Sequence, residues 1–179
     1  MPANNGDLWI STLDSIVRFN PHKKTFITCA TDQDKKAIKT NHITTIFRDS
    51  EQHLWLCGEK GISTYIEIGD ELKSILLLPE GSSVNHNFVN SIYESHNGLF
   101  WISTRSGLYR FDTNKKELKQ YTTANGLPNN IVHGVLEDSY GELWISTNKG
   151  LSRFQPQTEK IRNYTDNDGL QSNQFTNNS

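Results

Sequence analysis

Glu137-Asp138 is where this chain comes nearest to an acid–base motif, with Arg48-Asp49 and Glu94-Ser95 at the corresponding points of two earlier segments. Paired carboxylates cleave glycosides when they converge across a substrate at about 5–10 Å, one acting as acid and the other as base or nucleophile. These pairs do not read that way. Each ends a strand-like run and opens a turn, as in Asp138-Ser139-Tyr140-Gly141, where Asp suits the first turn position and Gly the fourth. No second, non-repeating carboxylate pair presents itself, so no catalytic residue is assigned and the chain is read as a non-enzyme. The six histidines (His22, His42, His53, His86, His96 and His133) share no common position and read mostly as surface residues. No CxxC or HExxH spacing occurs, so neither a metal nor a cofactor is expected. Cys29 and Cys57 fall at different places relative to their neighbouring tryptophans and read as unbridged packing residues.

The elements that hold these residues are set by four tryptophans. Trp9, Trp55, Trp101 and Trp144 each sit in one phrase, Leu8-Trp9-Ile10-Ser11-Thr12 in the first copy and Leu143-Trp144-Ile145-Ser146-Thr147 in the last. Their period of about 43–46 residues, with β-type signals throughout, is that of a propeller blade of four short strands. In the copy that starts at Asn130, Ile131 to Asp138 alternates as a first strand, Glu142 to Thr147 is the second, Leu151 to Phe154 the third and Lys160 to Thr165 the fourth. Gly61, Gly107 and Gly150 recur at the turn between second and third strands, and Phe19, Tyr65, Phe111 and Phe154 close the third strand. The small residues Thr45, Ser91 and Gly134 predict a large neighbour, the tryptophan, packed over the first strand. The tryptophans themselves, flanked by apolar residues in mid-strand, read as core.

The expected fold is therefore all-β: a β-propeller of about four four-stranded antiparallel blades, cut from a larger propeller. The repeats run approximately over 1–40, 41–86, 87–129 and 130–172, and residues 173–179 start a further inner strand. The chain opens on the second strand of a blade, and Phe175 aligns with Val132 of a first strand. This complementarity predicts self-association: a homodimer, two copies head to tail, closing one ring.

In a propeller the connections entering each first strand and the turns between second and third strands lie on one face around the channel. Those turns carry Asp14, Glu59-Lys60, Arg105 and Asn148-Lys149, whose charge differs from blade to blade. That is how a symmetric scaffold acquires an asymmetric site. The candidate ligand-binding residues are Arg105, Lys149, His86 and Asn129. The asparagine recurring as Asn41, Asn87, Asn130 and Asn173 reads as a turn device instead.

Bulk properties exclude several classes. The hydrophobic fraction of 34% suits short strands and polar turns. A net charge of −2 without a basic stripe argues against nucleic acid. The longest apolar run, Ile75-Leu76-Leu77-Leu78, is too short to span a bilayer, and no signal peptide opens the chain.

The stretch Gly98-Leu99-Phe100-Trp101-Ile102-Ser103-Thr104-Arg105-Ser106-Gly107-Leu108-Tyr109-Arg110-Phe111 resembles the two-component regulator propeller repeat. So does its continuation through Tyr121-Thr122, Gly126-Leu127, Asn130, Val132 and Glu137-Asp138. The second repeat departs most, with Gln52 for the turn Gly, Cys57 for Ser and Thr64 for Arg. The resemblance implies a periplasmic sensor region of a hybrid two-component system, of the kind found in polysaccharide-foraging gut bacteria such as Bacteroides. It implies an oligosaccharide or other small extracytoplasmic ligand, a signal passed to a kinase, and a membrane tie only through a span in the parent protein. Two alternatives stand beside it: a propeller lyase or hydrolase acting on polysaccharide, and a propeller serving only as a protein-interaction or assembly surface.

Overall fold

The computed structural model describes residues 1–3, 5–12, 16–28, 42–68, 71–79, 81–172 and 174–175. Among them the chain is strand throughout, apart from three single-turn 3-10 helices. It divides into two compact units, Met1–Phe88 and Val89–Ser179.

The first unit holds two sheets. β1 (Leu8–Ser11), β2 (Ile16–Asn20) and β3 (Thr25–Thr28) form a three-stranded meander, and among the described residues the other edge of β1 meets only the chain start, through an antiparallel bridge between Pro2 and Leu8. β4 (Ile43–Arg48), β5 (Leu54–Gly58), β6 (Gly61–Ile68) and β7 (Glu71–Ile75) form a four-stranded one. Trp9 and Ile16 pack with Leu54, Leu56 and Tyr65 between these sheets. Glu67 pins them together: its carboxylate accepts from the Trp9 indole and from Arg48 Nη2 at 2.7 Å.

The second unit also holds two sheets, each a four-stranded antiparallel meander. One is β8 (Val89–Glu94), β9 (Phe100–Thr104), β10 (Gly107–Asp112) and β11 (Glu117–Tyr121). The other is β12 (Val132–Glu137), β13 (Leu143–Thr147), β14 (Gly150–Gln155) and β15 (Lys160–Tyr164). Trp101, Leu108, Tyr121 and Leu127 meet Val132, Val135, Leu143, Ile145 and Phe154 in one core. Trp101 contacts Phe154 edge-on at 5.6 Å between ring centroids, a favoured aromatic geometry.

The tryptophan phrase is the second strand of each four-stranded sheet and the first strand, β1, of the three-stranded one. A strand covered on both faces must be apolar or small at every position, and β5 and β9 are buried at all five residues. Trp9, Trp55 and Trp101 are core residues, as expected. Trp144 is a partial exception: it is half-buried and stacks on Tyr164.

The small residue of each first strand coincides with an irregularity in pairing. The pairing register shifts between Ile43 and Thr45, between Val89 and Ser91, and between Val132 and Gly134. A β-bulge therefore sits at the small residue in all three. A methyl group on Gly134 would face Ser146 Oγ and Ser91 Oγ at 3.6 and 3.9 Å, and Trp144 lies opposite Leu136 instead. At Gly134 the small position accommodates a bulge beside serines, and the tryptophan does not cover it.

Gly107 and Gly150 open their third strands at φ +135° and +98°. A Cβ on either would also collide with a backbone carbonyl, of Tyr121 or Tyr164. Gln52, which stands where the other copies have a turn glycine, takes φ +69° without glycine's freedom.

Candidate functional site

The recurrent threonine that ends the tryptophan phrase builds the turn carrying the candidate ligand-binding residues. Thr104 Oγ1 accepts from Ser106 N at 3.0 Å and donates to the Gly107 carbonyl at 2.8 Å. Thr147 Oγ1 does the same for Lys149 N and the Gly150 carbonyl, both at 3.0 Å. Both hydroxyls belong to fully buried residues, so each turn is locked from beneath and presents its next side chains outward. Arg105 and Lys149 are those side chains, and both are exposed. Asn129 closes the approach to β12: its Oδ1 accepts from Ile131 N at 2.7 Å. The Asn148 amide reaches the Ile131 carbonyl at 3.4 Å, and Asn148 Oδ1 lies 2.6 Å from His133 Nε2. Lys149 and Asn129 are thus gathered at one end of the β12–β15 sheet, and Arg105 occupies the matching turn of β8–β11. The recurring Asn130 does turn work there, accepting from Thr123 N at 2.8 Å. His86 ends the 3-10 turn Ser83–His86 in the other unit, and its side chain lies outside the described residues, as do Asp14, Asn41 and Asn173.

The opposite end of the same two sheets carries a second constellation, in the turns from β8 to β9 and from β12 to β13. A surface cavity of about 400 Å³ is lined there by Tyr93, His96, Glu137, Asp138, Ser139 and Gly141. Glu137 is its centre. This carboxylate, 7% exposed, accepts from His96 N at 2.9 Å and lies 2.5 Å from His96 Nδ1. The Tyr93 phenol is pushed above its ordinary pKa by burial and by the charge of Glu137. Gly141 makes room for the imidazole: at φ +76°, a Cβ there would stand 3.3 Å from His96 Cε1. The sequence alone presents Glu137 as a turn residue and His96 among mostly surface histidines; their union depends on two turns meeting from different repeats. The sequence signal is faint: His96 follows Ser95, where the other copies carry Asp49 and Asp138.

Those two aspartates show why the carboxylate pairs are not acid–base machinery. Asp138 Oδ1 accepts from Tyr140 N at 2.9 Å and Glu142 N at 3.0 Å, and Oδ2 accepts from Trp144 Nε1 at 3.0 Å. Burial pushes this carboxyl up, but the hydrogen bonds from Glu142, Trp144 and Tyr140 outweigh it and hold the pKa below the usual range. Asp49 repeats the device with His53 N at 2.7 Å and Trp55 Nε1 at 2.8 Å. In β8–β11 the turn is closed by Ser95 Oγ donating to the Leu99 carbonyl at 2.8 Å. Glu142 is taken by Arg153 and by Gln155 Nε2 at 2.6 Å. Among the described residues no group of His, Cys, Asp and Glu is disposed to hold a metal ion. Cys57 is a free, fully buried thiol whose pKa burial pushes up, the chemistry of an inert packing residue. Cys29 lies outside the described residues.

A model of the family "Two component regulator propeller" matches residues 83–106 and 126–149. Each match runs from the entry of a first strand to the turn after the second, and ends at Arg105-Ser106 or Asn148-Lys149. These two segments are similar to the two-component regulator propeller repeat. Histidine kinase P4 of Formosa agariphila is 29% identical over 69% of this chain, which spans 13% of that protein's length. Two solved extracellular domains from B. thetaiotaomicron share the fold. One belongs to a putative one component system (TM-score 0.73, 22% identity, 99% of this chain and 23% of that one). The other belongs to a putative hybrid two component system (TM-score 0.69, 23% identity, 87% of this chain and 21% of that one). No helix among the described residues is long and apolar enough to cross a membrane.

Proposed function

We propose that this propeller segment is a non-catalytic, ligand-sensing part of an extracytoplasmic two-component sensor. It recognises a glycan or similar small ligand and passes the signal to a kinase. The observation that carries the reading is the family match, whose two segments both end in the turns that vary in charge between blades. The kinase similarity and the extracellular domains that share the fold support the placement outside the cytoplasm. The recognition residues on this reading are Arg105, Lys149, Asn129 and His86. Arg105 and Lys149 are held outward on rigid turns, a preorganised arrangement for hydrogen-bonding a polar ligand. Asp138 and Glu142 are tied up in structural hydrogen bonds, which argues against the lyase or hydrolase alternative.

An oligosaccharide array probed with this chain tests the reading, with an Arg105→Ala/Lys149→Ala double variant alongside. Binding that the double variant loses supports it. Binding untouched by the double variant, or breakdown of the bound glycan, overturns it.

Self-association is proposed on a separate observation. The β12–β15 face bearing Leu136 (69% exposed), Trp144 and Tyr164 corresponds to the β8–β11 face of Tyr93, Trp101 and Tyr121. That face is covered by another sheet of the repeat. Light scattering on this chain, with Leu136→Asp as the disrupting variant, tests whether a second copy covers it.

A further inference from the structure

The cavity around Glu137 lies at the opposite end of its two sheets from Arg105 and Lys149, and none of the roles above uses it. We propose that it is a second recognition site, taking a neutral saccharide. The inference rests on the reading of the chain as a ligand-recognising module and adds a site to it.

Four features fit that ligand class. Size is the first: about 400 Å³ lies within the ~300–1,000 Å³ of small-molecule sites. Hydrogen-bonding capacity is the second. Each carboxylate oxygen has two lone pairs; His96 engages each oxygen of Glu137 once and the Tyr93 phenol hydrogen-bonds the same carboxylate, which leaves one position to accept from a sugar hydroxyl. With Nδ1 directed at Glu137, His96 turns Nε2 away as a further polar atom for a hydroxyl, on a ring that is 69% exposed. The Ser139 hydroxyl both donates and accepts, and the Tyr93 oxygen, whose proton goes to Glu137, remains an acceptor. Vicinal hydroxyls need this mixture. The third feature is an aromatic platform. Tyr140 is 85% exposed, the most open of the large hydrophobic side chains, and its neighbours on both sides, Ser139 and Gly141, line the cavity. The ring itself is outside the lining, so it would meet the C–H face of a pyranose in a sugar long enough to extend from the cavity over the turn at 139–141.

Charge is the fourth feature, and it selects among saccharides. The lining holds two carboxylates and no lysine or arginine. Arg153, the nearby cation, is engaged by Glu142. A uronate or sulfated sugar would meet like charge here, whereas a neutral one meets acceptors.

NMR titration of the chain with cellotetraose, xylotetraose, mannotetraose and chitotetraose, and with tetragalacturonate as the anionic probe, tests the site. At least one neutral tetrasaccharide should shift the amide signals of His96, Ser139, Tyr140 and Gly141, and tetragalacturonate should not. Tyr140→Ala, at an exposed position that leaves folding intact, should weaken that binding roughly tenfold, as should the isosteric Glu137→Gln. No shift at these amides with any of the four neutral sugars overturns the proposal. So does binding indifferent to both variants, or a preference for tetragalacturonate here. Shifts confined to Arg105, Asn129 and Lys149 overturn this site while supporting the sensing reading. Shifts at the Glu137 cavity alone support this site and count against the recognition residues assigned at the other end.

Discussion

The sheets β8–β11 and β12–β15 are written in the same phrase and have different surroundings. Trp101 is 1% exposed beneath Val132, Leu143 and Phe154, whereas Trp144, at the same strand position, is half-buried and stacks on Tyr164 at 5.6 Å between centroids. Their charges diverge too. Arg153 pairs with Glu142 of its own sheet. The residue matching Glu142 in the earlier sheet is Leu99, and Arg110 there lies 3.8 Å from Glu159 of the neighbouring sheet. Lys119 Nζ joins the same carboxylate at 2.6 and 2.7 Å, and Tyr121 donates to it at 2.9 Å. Positions that every copy shares hold each sheet together; where a copy loses its internal partner, the side chain reaches the next sheet.

The sharpest way to break this comparison is truncation of the two tryptophans. Trp101→Ala should cost about 3–5 kcal/mol by chemical denaturation, enough to unfold a marginal domain. Trp144→Ala should cost only about 1–2 kcal/mol, because part of its ring is already in water. Equal losses would mean that the second face is covered as fully as the first.

Glycine positions come next. Gly107→Ala and Gly150→Ala should each destabilise by more than about 1 kcal/mol, since φ is positive and a carbonyl stands in the way. Gln52→Gly should do the reverse, gaining up to about 1 kcal/mol by relieving a left-handed glutamine. A loss there would show that the glutamine side chain holds something its backbone strain conceals.

Smaller effects probe the bridge between the sheets. Tyr121→Phe removes one hydrogen bond to Glu159 and should cost about 0.5–1.5 kcal/mol. The pH dependence should be weaker still. Hydrogen bonds from Lys119 and then Tyr121 hold the Glu159 carboxyl below its ordinary value of 4.5. Its stabilising contribution is therefore present above about pH 4.5 and is lost as the pH falls through the lower, folded-state value. Glu159 is 40% exposed, so solvent screening keeps the effect small. Glu159→Gln should flatten the acid side of the melting-temperature profile; an unchanged profile would remove the bridge from the account.

Much of the fold was legible because it is local. The tryptophan phrase, the turn glycines and the period near 45 residues each act within one copy. They sufficed for the strand order of every sheet and for the three-stranded first sheet, and they carry the resemblance to the propeller repeat. The turn duty of Asp138 was legible for the same reason, since its partners lie within six residues of it. The Glu137 cavity was not legible. Its walls come from two turns 41 residues apart in sequence, and no rule about one copy says which turns will meet. The bulge beneath Gly134 escaped for a related reason: a small residue signals close approach without naming the neighbour.

The sequence by itself determined the blade, through alternation, turn chemistry and a repeated buried aromatic. It also determined which turns vary in charge, and so where Arg105 and Lys149 would project. Tertiary structure decided how deeply each equivalent tryptophan is buried, which arginine pairs at home and which reaches across, and that His96 and Glu137 share one cavity. Those outcomes depend on what packs against each copy, and burial and pairing are properties of neighbours in space.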